Sequence, residues 1–302
     1  KARLITILSA PFMTCSARLP VYALLIGAFI PDAYYMNEWI NLKGLVLLGL
    51  YVLGIFGGVL TALIMKTFMP AEPSPNFIIE LFPYRTPNLK SMLIKLYDRA
   101  LIFLKRAGTV IFSVAILIWA LAYFPRPIEI KNQFDIERDL VAVVADAKEK
   151  SAQLVQINQE EKAAYLERSW LGQMGKSIAP VFKPLGWDWK VTAAFIGGLP
   201  AREVVIAALG TIYAIGDETT SESLLQNKLK HATWDDGKPV FTLPMTLGLL
   251  VFYAFCLQCF ATIAIIRRET NSWRWPVVAW TYMTSLSYLA ALITHRLVSL
   301  II

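Results

Sequence analysis

Residues 44–65 read GLVLLGLYVLGIFGGVLTALIM, an apolar stretch that contains no charged residue and no proline. A helix needs about 20 consecutive apolar residues to cross about 30 Å of hydrocarbon. A helix also satisfies its own backbone hydrogen bonds, which lipid cannot supply. The stretch therefore predicts a membrane-spanning helix, and it indicates that the chain is a membrane protein.

The composition of the whole chain agrees with this prediction. Apolar residues make up 56% of the 302 residues, charged residues make up 17%, and the mean hydropathy is +0.52. Soluble proteins carry about 25% charged residues. The composition excludes a soluble enzyme and a disordered chain, and three cysteines in apolar stretches do not make a disulfide scaffold. The net charge is +7, and membrane proteins usually carry such an excess of basic residues in their cytoplasmic loops. We therefore expect a lipid bilayer as partner and no nucleic acid.

Six apolar segments predict an all-α, polytopic helical bundle. They cover residues 4–30, 44–65, 101–124, 191–214, 243–266 and 275–297. Two of them are interrupted by proline well inside the segment: Pro11 and Pro20 interrupt the first, and Pro200, near Gly198, interrupts the fourth. A break frees backbone carbonyls, which membrane proteins tolerate where the chain lines a cavity, and transporters bind their substrates at such breaks. We therefore expect broken or re-entrant helices.

The basic residues predict the topology. The basic stretch 66–100 belongs in the cytoplasm by the positive-inside rule. If residues 191–214 crossed the membrane fully, Arg267 and Arg268 would then lie on the outside. We predict instead that this segment re-enters the membrane, which leaves Arg267, Arg268 and Arg274 in the cytoplasm.

The first broken segment carries a cluster of polar groups between its two prolines. Residues 10–20 read APFMTCSARLP and include the thioether of Met13, the hydroxyl of Thr14, the thiol of Cys15 and the cation of Arg18. Sulfur ligands of this kind suit transition metals. The alternative interpretation is that Cys15 is a small buried residue and that Arg18 extends to the membrane surface.

The fourth segment places two charges in an apolar stretch. Arg202 and Glu203 follow its helix break directly. Each charge costs roughly 2.5–3.5 kcal/mol at the centre of a membrane helix. Two interpretations remain open: Glu203 is a carboxylate ligand in a transport pathway, or both charges bond to neighbouring helices.

The fifth segment contains two further cysteines. Cys256 and Cys259 are three residues apart, a spacing that predicts one common helix face. Both packing and a membrane thiol site are consistent with this pattern. The triplet Cys259-Phe260-Ala261 also matches Cys15-Ser16-Ala17 of the first segment, which indicates an internal repeat with equivalent sites in its two halves.

One partial phosphate-binding motif is excluded. Residues 172–177 read GQMGKS, but Trp170 occupies the position of the first glycine of a P-loop. The motif also follows a helical pattern, whereas a P-loop follows a strand. We therefore expect no nucleotide-binding site and no GTPase activity on this chain.

Four stretches together resemble the ferrous iron transporter B family, FeoB. They are PFMTCSARLP (11–20), ELFPYR (80–85), GLPAREVV (198–205) and CFAT (259–262), the last followed by RRE (267–269). The resemblance implies the multi-pass permease part of an Fe²⁺ importer in the bacterial inner membrane. The pathway that it implies comprises Met13, Thr14, Cys15, Arg18, Glu203, Cys256 and Cys259, with Cys15, Cys259 and Glu203 as the ligands of the transported Fe²⁺.

The resemblance also predicts the organisation of the chain and its partners. Residues 1–124 would form a first, N-terminally truncated Gate-like half, residues 125–189 an extramembrane helical insert, and residues 190–302 a second Gate-like half. GTP and Mg²⁺ would bind a cytoplasmic G domain that is missing from this chain, and the basic stretch 85–106 would receive its signal. Small Feo accessory proteins and a homo-oligomer are further expected partners.

Two other classes of function remain open at this point. A nucleoside-like permease for organic solutes would use Arg202 and Glu203 for hydrogen bonding and leave the cysteines inert. A membrane scaffold would transport nothing. Metal-dependent uptake separates the iron transporter from both alternatives.

Overall fold

The computed structural model describes residues 2–35, 40–68, 88–144, 147–200, 202, 204–213, 226, 229–234 and 237–301. Its helices are α1 (Ala2–Ser9), α2 (Leu19–Phe29), α3 (Leu42–Phe68), α4 (Leu89–Tyr123), α5 (Ile128–Val144), α6 (Ala147–Arg168), α7 (Trp170–Phe182), α8 (Trp189–Gly197), α9 (Val204–Ile212), α10 (Leu243–Phe255), α11 (Phe260–Thr270) and α12 (Arg274–Ile301). Two-residue strands, β1 (Tyr34–Tyr35) and β2 (Ile40–Asn41), pair antiparallel. The predicted all-α fold is confirmed. Two of the predicted features, Glu203 and the stretch 80–85, lie outside the described residues.

Four helical stretches of the described residues are long and apolar enough to cross a membrane. They are Arg3–Phe29, Leu42–Thr67, Leu243–Thr270 and Arg274–Ile301. They correspond to the first, second, fifth and sixth apolar segments of the sequence. A further candidate is the bent pair Ile111–Tyr123 and Ile128–Val141, whose axes meet at 68°. The predicted third segment thus forms the end of α4, which begins well before it, at Leu89.

Two of the four spans are discontinuous. In the first span, α1 and α2 are separated by short 3-10 turns and by non-helical backbone at residues 13–15. In the fifth segment, α10 ends at Phe255 and α11 begins at Phe260. The break in the first span agrees with the prediction. The prediction that Cys256 and Cys259 share a helix face is wrong, because residues 256–259 are not helical.

The fourth apolar segment folds back on itself. Helices α8 and α9 have nine residues each, or about 13 Å, which is roughly half of the hydrocarbon thickness. Asp188 caps the start of α8, and the Tyr213 hydroxyl, just beyond α9, donates a hydrogen bond of 3.4 Å to its carboxylate. The two outer ends therefore meet, and the segment is a hairpin. The hairpin agrees with the predicted helix break, while re-entry into the membrane and the side of Arg267 and Arg268 stay predictions.

The predicted helical insert, residues 125–189, contains α5, α6 and α7. Arg138 of α5 ties the first two helices together, because its guanidinium bonds to Asn158 and Glu161 of α6 as well as to Asp135. The sequence GQMGKS lies inside α7, where the Lys176 ammonium is 2.7 Å from the Glu167 carboxylate. The helical conformation agrees with the exclusion of a P-loop.

An aromatic cluster anchors the hairpin to α10. The ring centroid of Trp187 lies 4.7 Å from that of Phe182 and 4.8 Å from that of Phe252, and Phe195 of α8 lies 5.3 Å from Phe252. Trp187 is fully buried. Aromatic pairs of this geometry contribute about 0.5–1.5 kcal/mol each beyond the burial of their area. The cluster therefore fixes the hairpin beside the second discontinuous span.

Candidate functional site

The two helix breaks lie next to each other. Phe12 and Phe255 each come directly before a break, and their rings meet edge-on with centroids 5.8 Å apart. Helix α3 packs against both rings at Gly57, where a Cβ atom would lie 2.4 Å from Cε1 of Phe255 and 3.4 Å from Cδ1 of Phe12. The glycine-rich face of α3 thus lets the two broken spans approach each other closely.

Arg18 satisfies the backbone of the first break. Its guanidinium donates hydrogen bonds to the carbonyls of Pro11 (3.0 Å) and Phe12 (3.1 Å), the last carbonyls before the break. Only 2% of Arg18 is exposed. Unpaired carbonyls are costly in an apolar interior, so the cation stabilises the broken conformation. The interpretation of Arg18 as a residue that extends to the membrane surface is therefore wrong.

Arg202 bonds to the backbone carbonyls of the second break, but it comes from a distant segment of the chain. It lies at the tip of the α8–α9 hairpin and donates to the carbonyl of Tyr253 at 3.0 Å and to that of Cys256. It is 5% exposed. These bonds support the interpretation in which Arg202 binds a neighbouring helix. They also explain why residues 256–259 unwind although the sequence there contains no proline or glycine.

One cavity of about 650 Å³ joins the two breaks. Its wall includes Met13, Cys15, Arg18, Pro200, Arg202 and Cys259. Cys15 is exposed and Cys259 is partly exposed, so both thiols are accessible from the cavity. Ile111 of α4 completes the wall on one side. The structure thus brings together the two cysteines that the sequence paired through the C-x-A repeat.

The remaining predicted residues lie in other places. The Thr14 hydroxyl packs against α3 at Gly54 and is not on the cavity wall. Cys256 is 1% exposed, and its thiol faces Thr284 and Ser287 of α12 instead of the cavity. Glu203 lies outside the described residues, although its neighbours Pro200 and Arg202 line the cavity. The predicted role of Glu203 as a ligand stays a prediction.

Two features of the site have no clear signal in the sequence. Glu269 lies on the cavity wall and forms an ion pair with Arg3. Gln258 lies in the second break with no exposed surface, and neither atom of its amide has a hydrogen-bond partner among the described residues. Both positions depend on how distant segments pack, which the local sequence does not encode.

The chemistry of the cavity suits weak binding of a soft or borderline cation. The described residues supply two thiols and one thioether, and such sulfur ligands favour transition metals. Within the described ranges, no group of three or more His, Cys, Asp or Glu side chains is placed to hold a metal ion. An ion that moves through a pathway must bind weakly enough to leave it. Discontinuous helices that meet at such a cavity define a polytopic membrane protein with the architecture of a transporter.

Two family profiles match this chain. A profile described as "Gate: Nucleoside recognition" matches residues 104–273, and one described as "Ferrous iron transport protein B C terminus" matches residues 47–99. The chain therefore belongs to the Gate family and corresponds to the C-terminal region of the ferrous iron transport protein B family.

Similar proteins from several organisms carry the name of this family. The Fe(2+) transporter FeoB of Leptospira interrogans is 37% identical over 97% of this chain and 39% of its own length. The FeoA–FeoB fusion protein of Porphyromonas gingivalis is 35% identical over 98% of this chain and 34% of its own length. FeoB of Methanocaldococcus jannaschii is 31% identical over 97% and 37%. The chain thus spans about two fifths of the length of these relatives, and no solved structure matches it.

Proposed function

We propose that this chain is the permease part of a GTP-regulated Fe²⁺ importer of the bacterial inner membrane. The observation that carries the proposal is the cavity that Cys15 and Cys259, from two discontinuous spans, both line. The names of the relatives support Fe²⁺ as the substrate. A permease for nucleosides, which the Gate profile suggests, would have no use for two thiols in its binding cavity.

The geometry of the breaks supports a path for the ion. Fe²⁺ would enter the cavity, shed part of its hydration shell and bind Cys15 and Cys259, with the Met13 thioether and backbone carbonyls assisting. Glu203, which the sequence predicts as a third ligand, would complete the site. Arg18 and Arg202 hold the breaks in shape and place two positive charges beside the path. These charges oppose the bound dication, so binding depends on thiolate and carboxylate charge and remains reversible.

Helix α4 offers a route for control by a G domain. It runs without a break from Leu89 to Tyr123, so the exposed Lys90 and Lys95 lie on the same rigid element as Ile111 of the cavity wall. Lys95 and Ile111 are separated by about 24 Å along the helix. A push on its basic end by a GTP-bound domain of the same polypeptide would therefore reach the cavity. Feo accessory proteins and a homo-oligomer are further proposed partners.

Uptake of Fe²⁺ into proteoliposomes by the full-length polypeptide tests the proposal. Cys15→Ser and Cys259→Ser should each lower the uptake strongly, because each removes a sulfur from the cavity. Cys256→Ser is the matched control, since that thiol is buried away from the cavity. Equal uptake in all three variants would refute the role of the thiols, and uptake of nucleosides but not of Fe²⁺ would favour the other permease.

Charge reversal tests the route through α4. Substitution of Lys90, Lys95 and Arg99 by Glu should lower GTP-stimulated uptake while membrane insertion stays normal. Unchanged stimulation would show that the basic end of α4 does not receive the signal.

A further inference from the structure

A second cavity, of about 600 Å³, lies on the face of α11 that is turned away from the cysteines. Its apolar wall is formed by Phe260, Ile263 and Ala264. Arg267 and Arg268, in the last turn of the helix, form its polar end. The cavity thus combines an apolar groove with two cations at one end.

The two cations have no acidic partner in the described part of the chain. The guanidinium of Arg267 stacks on the ring of Trp273, with 4.1 Å from Cζ to the ring centroid. Arg268 makes no hydrogen bond or ion pair with any described residue and is exposed. The nearest carboxylate in sequence, Glu269, lies on the other face of α11 and pairs with Arg3. Two uncompensated charges therefore face this cavity.

The position of the cavity in the membrane indicates the kind of ligand. One candidate span ends at Thr270 and the next begins at Arg274, so Arg267 and Arg268 lie at the level where the chain leaves the hydrocarbon. Trp273 lies in the turn between the two spans, and tryptophan favours the headgroup layer. The apolar groove on α11 runs from this level into the span.

We propose that this cavity binds an anionic phospholipid. Its phosphate would accept hydrogen bonds from the guanidiniums of Arg267 and Arg268, which match phosphate oxygens in geometry and charge. The Ser272 hydroxyl accepts a hydrogen bond from the backbone N–H of Arg274, which leaves its own hydrogen free to donate to the phosphate. The acyl chain would follow the apolar wall along Ile263. A soluble phosphate would leave this wall unused, so a lipid fits the cavity better.

Such a lipid would act on the half-helix that carries a pathway cysteine. Cys259 precedes the first residue of α11, and Arg267 and Arg268 lie at the opposite end of the same 11-residue helix. A headgroup held at one end restricts the movement of the other end. The proposal itself concerns lipid binding and stands whether or not Fe²⁺ is the transported ion.

Native mass spectrometry of the purified full-length polypeptide tests the lipid site. Phosphatidylglycerol and phosphatidylcholine with identical acyl chains are titrated separately, and the affinity of the first bound lipid is compared. The wild-type protein should prefer phosphatidylglycerol. Arg267→Gln with Arg268→Gln should weaken its binding about tenfold and leave phosphatidylcholine unchanged.

The control is the pair Arg274→Gln with Arg296→Gln, which removes the same charge from exposed arginines outside the cavity. The single variant Arg268→Gln, which removes no hydrogen bond or ion pair among the described residues, should show part of the loss. A preference that survives the double variant, or that the control abolishes equally, would overturn the proposal. Displacement of phosphatidylglycerol by inorganic phosphate would identify a site for soluble phosphate and would overturn it as well.

Discussion

In both helix breaks an arginine side chain bonds to backbone carbonyls of the broken helix, but the two arginines come from different parts of the chain. In the first, Arg18 bonds to carbonyls that lie six and seven residues earlier in the same segment. In the second, Arg202 reaches carbonyls that lie 51 and 54 residues later, in another segment. The first break is therefore stabilised from within its own segment, whereas the second is stabilised by bonds from the α8–α9 hairpin. We expect movement of the hairpin to change the second break more than the first.

The largest loss of stability is expected when Arg202, which bonds to the carbonyls of the second break, is replaced. Arg202→Met leaves the carbonyls of Tyr253 and Cys256 unpaired in a buried position, at about 1–3 kcal/mol for each. The thermal unfolding midpoint of the purified protein should fall, and the buried Cys256 should become reactive toward a maleimide. Arg202→Lys should be intermediate, because an ammonium cannot bridge both carbonyls with the geometry of a guanidinium.

Arg274→Met is the control for this experiment, since Arg274 is an exposed arginine. An Arg202→Met protein that keeps its unfolding midpoint and protects Cys256 would show that the second break does not depend on the hairpin.

A smaller and more local structural change is expected when Arg18, which bonds to the carbonyls of the first break, is replaced. Arg18→Met frees the carbonyls of Pro11 and Phe12 but detaches no distant segment. The rate of maleimide labelling at Cys15 should change, while Cys256 should stay protected. Mass spectrometry of the labelled peptides distinguishes the two sites. Equal exposure of Cys256 in the Arg18 and Arg202 variants would contradict the difference between the two breaks.

The smallest loss of stability is expected from a substitution at Gly57, where the two broken spans pack against α3. Gly57→Ala places a Cβ atom 2.4 Å from the Phe255 ring, and such overpacking costs about 1–3 kcal/mol. Gly49→Ala is the matched control, because no atom lies within 4 Å of the Cβ it would add. The control should be neutral or stabilising, since alanine favours a helix over glycine by about 0.5–1 kcal/mol. Thermal unfolding of both variants in one detergent checks the prediction, and a Gly57→Ala protein as stable as the control would contradict it.

The sequence predicts the parts of the fold that are determined locally. The apolar segments predicted four of the spans, and Pro11 and Pro20 predicted the first break. Gly198 and Pro200 predicted the hairpin, because a proline removes a helical hydrogen bond and a glycine near it weakens the helix further.

The sequence does not predict the second break or the arginine that bonds to its carbonyls. Residues 255–260 contain no glycine and no proline, so the local pattern favours a continuous helix. Arg202 binds the carbonyls of this break from 51 and 54 residues away along the chain, and a local sequence pattern does not reveal such an interaction. The short C-x-A match predicts the pairing of Cys15 with Cys259, and both cysteines line one cavity in the structure. The identity of the transported ion came only from the resemblance to relatives, because two thiols do not distinguish Fe²⁺ from other soft or borderline cations.

The most direct test of a shared ion site is the protection of each thiol by Fe²⁺. Maleimide labelling of Cys15 and Cys259 is measured under anaerobic conditions in the full-length polypeptide with Cys256→Ser, at increasing Fe²⁺. If both thiols bind one ion, they should be protected with the same midpoint, and Cys15→Ser should abolish the protection of Cys259. Separate midpoints, or protection of Cys259 that survives the loss of Cys15, would contradict a shared site between the two broken helices.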